Sequence, residues 1–108
     1  MNYKLTITDR AEELLDHILY YIINQLKNPQ AAGNLIGEIE HVYSNLEYNP
    51  KMYAYSDDTF LKSRGYRKAV IPHYDYVIIF RIDEETASVY IVGFFHDLEL
   101  YKNKLKQT

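Results

Sequence analysis

Arg67, His96 and Tyr101 are the side chains in this 108-residue chain whose types and positions could carry chemistry. Arginine presents a planar set of donors that suits a phosphate or a carboxylate. Histidine titrates near neutrality and can serve as general acid or base. Tyrosine can hold a base by stacking. Each has a plainer alternative: Arg67 as a solvated strand residue paired with an acid, His96 as a structural residue at a strand end, Tyr101 as a packing residue. Asp97 adjoins His96, but no second histidine or carboxylate lies at a spacing that demands a role. Arg67 also belongs to the densest basic run, Lys62, Arg64, Arg67 and Lys68, a local positive patch for acidic side chains. Arg81, near Asp83 and Glu84, reads as a hairpin-end residue in a surface pair worth little energetically.

Other chemistries are excluded or unsupported. There is no cysteine, so disulfides and thiolate metal sites are absent. His17, His41 and His73 lie on separate elements without metal-ligand spacing, so neither a metal nor a cofactor is expected. No glycine-rich phosphate loop or nucleophile elbow is present. The net charge is −3 and uneven. Residues 1–50 carry three basic side chains against seven acidic ones; residues 51–108 carry nine against eight. An acidic body disfavours strong non-specific nucleic-acid binding. No apolar run approaches the roughly 20 residues of a membrane span, and the alternating N-terminus does not read as a signal peptide. A cytoplasmic protein is expected, built as a single domain over residues 1–108.

The elements that must position these residues are legible. Tyr3 to Ile7 alternates as a half-buried strand. Asp9 with Glu12 three residues on reads as a capping box. Apolar residues from Ala11 to Leu26 then recur at three and four, which predicts an amphipathic helix with Leu15, Ile18 and Ile22 among its most buried positions. Asn28-Pro29 ends it and caps a second helix, whose stripe is Ala32, Leu35, Ile36, Ile39, Tyr43 and Leu46. Asn49-Pro50 stops that helix, and the short junction makes the pair an antiparallel hairpin. Three β-branched and aromatic runs follow, at 65–71, 76–82 and 88–96, joined by connections too short for a crossover helix. The second and third are apolar at nearly every position, so one face and at least part of the other need cover.

Between helix and meander, Glu47 to Ser63 is a long connection holding Tyr48, Met52, Tyr53, Tyr55 and Phe60. It reads as an aromatic lid over one end of the core or as a rim that binds a partner. Leu98 to Leu105 suggests a short helical tail. The expected fold is α+β: an N-terminal strand, an antiparallel helical hairpin and a three-stranded antiparallel meander forming one sheet with the helices packed on it. The first strand pairs by chain return, at an edge or beside the last strand.

That order, with its local phrases, resembles the RelE/ParE superfamily of toxins from bacterial toxin–antitoxin modules, including ParE-like plasmid stabilisation proteins. The phrases are Tyr3-Lys4-Leu5-Thr6-Ile7-Thr8 with Ala11-Glu12, Asn28-Pro29-Gln30-Ala31-Ala32, Gly65-Tyr66-Arg67-Lys68 and Tyr76-Val77-Ile78-Ile79-Phe80-Arg81-Ile82-Asp83. The resemblance covers nearly the whole chain. It implies a toxin neutralised by a cognate antitoxin whose flexible tail wraps it, with either messenger RNA in the ribosome or DNA gyrase as target. It implies that Lys62, Arg64, Arg67, Lys68 and Arg81 contact antitoxin or target. If the protein is a ribonuclease, Arg67, His96 and Tyr101 are its catalytic candidates.

The departures from the ribonuclease pattern are specific. Ala69 and Val77 stand where RelE-like enzymes often have Lys and Arg, and Gly93 where relatives often carry Arg. The usual basic run after the last strand reads His96-Asp97-Leu98-Glu99-Leu100. So few cations would poorly neutralise a phosphorane. The resemblance therefore implies weak or absent cleavage of messenger RNA, with a decayed, binding-only member as a further reading.

Overall fold

A computed structural model describes residues 2–96 of the chain. Strand β1 is Lys4–Ile7. Helix α1, Asp9–Tyr20, runs on as a π-helical turn, Tyr21–Gln25. Helix α2 is Pro29–Tyr48, followed by a 3-10 turn, Pro50–Met52, and the short helix α3, Thr59–Ser63. Strands β2, Tyr66–Val70, β3, Tyr76–Asp83, and β4, Ser88–His96, complete the order. The sheet runs β1-β4-β3-β2. The short connections make β2, β3 and β4 antiparallel, while β1 lies parallel to β4. The helical hairpin carries the chain from β1 to β2 at the far edge of the sheet, and the meander then returns it to place β4 beside β1. The first strand is thus both at an edge and beside the last strand.

Helix starts follow local side-chain chemistry, with one correction. Thr8, not Asp9, is the N-cap of α1: its Oγ1 accepts from the Ala11 amide at 3.2 Å, and Asp9 is the first helical residue. Asp9 and Glu12 still favour that end by charge, as acids do in a first turn. Asn28 caps α2 as expected, accepting from Ala31 N at 3.1 Å, with Pro29 in the first turn. Thr8→Ala should therefore cost about 1 kcal/mol in chemical denaturation, and Asp9→Asn distinctly less.

The sheet is buried on both faces. On one side Ala69, Ile71, Ile78, Phe80, Val89, Ile91 and Phe94 meet Leu35, Ile39, Val42 and Leu46 of α2. On the other, Leu61 of α3 packs with Val77, Ile79 and Phe95. Double cover explains the continuous apolar runs of β3 and β4. The α1 stripe is less enclosed than its spacing implies. Ala11 and Ile22 are buried, but Leu15 and Ile18 are only half-buried, and Ile18 lines a cavity that opens along one flank of α1. On α2 the inward stripe includes Val42, with Tyr43 half-buried and Ile36 exposed. Burial, helped by the Glu12 charge, pushes the Tyr43 hydroxyl pKa up to about 12.

Candidate functional site

The long connection is not a packed lid. Tyr48 is 74% exposed and Met52 58%, and Tyr55 and Phe60 are also exposed. Of its aromatic side chains Tyr53 turns inward, meeting Phe80 edge-to-face at 6.0 Å, while Leu61 is buried against the other face of the sheet. The segment after Tyr53 adds an extra rung to the sheet. Ser56 N donates to Tyr66 O at 2.9 Å and Lys68 N to Ala54 O at 3.0 Å, so Ala54–Ser56 covers the outer edge of β2. Asp58 then caps α3, accepting from Leu61 N at 3.0 Å.

This wall fixes Arg67. Its β3 partner is Phe80, so its side chain rises on the helix-covered face. Arg67 Nη1 donates to Tyr53 O at 2.6 Å, and its Cζ lies 4.0 Å from the centroid of the Tyr55 ring. Arg67 is half-buried, not a solvated strand residue, and among the described residues it is not paired with an acid. It lines a cavity of about 500 Å³ with Lys51, Tyr53, Tyr55, Asp57 and Lys62. Lys51 pairs with Glu84 at 3.0 Å, and that hydrogen bond and charge raise the Lys51 pKa. Lys68 holds Asp57 at 3.1 Å. Among the described residues, Lys62 and Arg67 make no ion pair.

The sequence-level basic run is thus divided. Lys62 and Arg67 share the cavity, joined by Lys51, which is separated from them in sequence. Arg64 lies over the Phe60 ring at 4.9 Å. Tyr66 opposes Arg81 while Arg67 opposes Phe80, so Arg67 and Arg81 face opposite sides of the sheet. Arg81 does not cap the hairpin. It lies over the Tyr90 ring at 4.7 Å, and the Asp83 carboxylate takes the turn amides of Glu85 and Thr86 instead.

His96 lies elsewhere. It opposes Tyr76, with the rings edge-to-face at 5.3 Å, and lines a cavity of about 380 Å³ with Leu14, His17, Ile18 and Tyr21. His17, read from sequence as isolated, therefore faces the same space as His96. The Arg67 row crosses β4 at Ile91, five positions before His96. At about 3.3 Å per residue that is roughly 17 Å along the strand, so Arg67 and His96 do not converge on one reacting atom. Tyr101, with Asp97 and the tail Leu98 to Leu105, lies outside the described residues.

The positions that lack cations have structural occupants. Ala69 and Val77 are completely buried on opposite faces. At Gly93 an added Cβ would lie 2.2 Å from Phe95 Cε2, because the Phe95 ring folds back over the glycine. Among the described residues no group of three His, Asp or Glu could hold a metal, and no helix is long and apolar enough to cross a membrane.

A parallel β1–β4 pair closing an antiparallel meander, with a helical hairpin as crossover, is the fold of RelE- and ParE-type toxins. A chain of a chromosomal ParDE TA system from P. aeruginosa superposes with a TM-score of 0.69 at 19% identity, covering 87% of this chain and 95% of that one. A chain of the RelBE2 toxin–antitoxin complex from Mycobacterium tuberculosis gives 0.61 at 18% identity, over 92% and 95% of the two chains. Isolated RelE toxin from E. coli gives 0.54 at 15% identity, over 97% of each. No curated protein shows significant sequence similarity. The family model of the ParE toxin of the type II toxin–antitoxin system parDE matches residues 5–101, and the chain belongs to that family.

Proposed function

We propose that this protein arrests growth when free, without cleaving messenger RNA, and is neutralised by an antitoxin that engages the surface formed by residues 50–67. Membership of the ParE family makes it the toxin component of a type II system. The non-nucleolytic reading rests on one observation. Ala69 and Val77 are core residues and Gly93 lies under the Phe95 ring, so three positions that are often cationic in ribonuclease relatives have no room for a cation. Arg67 is tied to Tyr53 and separated from His96, which further disfavours a shared phosphate site. A gyrase-type target fits better than translation, and action on either would place the protein in the cytoplasm.

Induced expression with and without the product of the adjacent gene is the test. Growth arrest is expected, with relief by the neighbour and no in-frame cuts by primer extension on translated messages. Strong cuts that vanish in Arg67→Ala would reverse the non-nucleolytic reading. Absence of arrest would favour a binding-only member.

A further inference from the structure

We infer that the cavity between residues 51–57 and β2 is a receptor for one carboxylate presented by an acidic peptide segment, with Arg67 as its principal donor. The inference leans on the antitoxin reading only for the natural source of that segment. Four features carry it. The Arg67 guanidinium is held before any ligand arrives, by the Tyr53 carbonyl at 2.6 Å and the Tyr55 ring at 4.0 Å. A guanidinium so immobilised loses little freedom on binding and can offer its remaining donors as a fork. Lys62 lines the same space, and neither cation is neutralised among the described residues. The rim carries exposed Met52 and Tyr55, which suit the apolar neighbours of an acidic side chain.

The fourth feature is the balance of charge. Asp57 also lines the cavity, but its carboxylate is already bound to Lys68, so Arg67 and Lys62 leave the space net positive and suited to an anion. A nucleic-acid strand would face the net charge of −3 on the chain. Lys51 is a third cation of the cavity held in reserve, because Glu84 occupies it.

The probes are a blocked tripeptide of glutamate between two leucines, the same peptide with glutamine, sodium acetate and inorganic phosphate. They are titrated into the full chain while backbone amides and the Arg67 side chain are followed by NMR. The glutamate peptide is expected to shift amides 53–57 and Arg67 saturably. The glutamine peptide should bind about tenfold more weakly or worse, as loss of a charge-assisted pair predicts. Arg67→Lys keeps the charge but loses the fork and the ring contact, and should lose a similar factor. Glu84→Gln releases Lys51 and should tighten the glutamate peptide severalfold at low salt. Should Arg67→Ala fail to fold, Arg67→Lys and Glu84→Gln still decide the matter. Equal binding of the two peptides, or no loss in Arg67→Lys, would overturn the inference. Tighter binding of phosphate would reassign the cavity to phosphate, and acetate matching the peptide would reassign it to small carboxylates. Co-purification with the adjacent gene product is scored separately. Its persistence with the cavity silent would reject this inference and leave the antitoxin reading in place.

Discussion

Replacing Phe80 with alanine is expected to destabilise the protein by about 3–5 kcal/mol, a large part of the stability of a small domain. Phe80 is completely buried in the cluster between the sheet and α2, and its ring meets Tyr53 edge-to-face. Truncation leaves a cavity that a β-sheet cannot collapse into without breaking its ladder. Tyr53 is the residue whose carbonyl holds Arg67, so the same change should loosen the cavity floor. Guanidinium unfolding of the wild type and Phe80→Ala checks the first effect. Exchange of the amides of residues 53–56 checks the second. A loss below about 1 kcal/mol would mean that the site repacks, contrary to the close packing of interiors.

Gly93→Ala is expected to destabilise by about 1–3 kcal/mol, and Gly93→Arg by more. The sign is informative, because alanine in a strand is otherwise better than glycine by about 0.5–1 kcal/mol. Here the new Cβ would fall 2.2 Å from Cε2 and 2.7 Å from Cζ of Phe95. That ring is buried beside Val77 and Ile79, so it cannot swing aside without leaving its contacts. The double variant Gly93→Ala/Phe95→Leu should cost less than the two single changes together, since the second removes the atoms that clash with the first. Strict additivity, or a stabilising Gly93→Ala, would show that the ring moves freely. The result also bears on function: an arginine at 93, as ribonuclease relatives often have, would be incompatible with this Phe95 packing.

Where local chemistry decides, the structure follows the sequence closely. The Asn28-Pro29 junction works as a cap because the asparagine oxygen reaches an amide three residues on. The apolar runs of β3 and β4 are buried on both faces because they have no polar alternate. The cap of α1, read at Asp9, falls one residue earlier at Thr8, because Thr8 is also a good capping type and only backbone geometry decides between adjacent candidates. The depth of the α1 stripe was not legible at all. Spacing reports which side of a helix is apolar, not whether that side meets a flat sheet or the lip of a cavity.

The sequence by itself determined the order of the four strands and two long helices, the helical hairpin and the antiparallel meander, because turns, caps and periodicities act between residues near in the chain; helix α3, inside the long connection, was not among them. The sequence also named Lys62, Arg67 and His96 as residues worth testing. Tertiary structure alone decided their company. It put Arg67 with Lys51 and Lys62 behind the Tyr53–Tyr55 wall, turned Arg81 to the other face, and set His17 beside the cavity of His96. It also put the Phe95 ring over Gly93. Such groupings depend on strand register and on how far the crossover carries the chain. A one-residue slip in register would move every side chain of a strand to the opposite face.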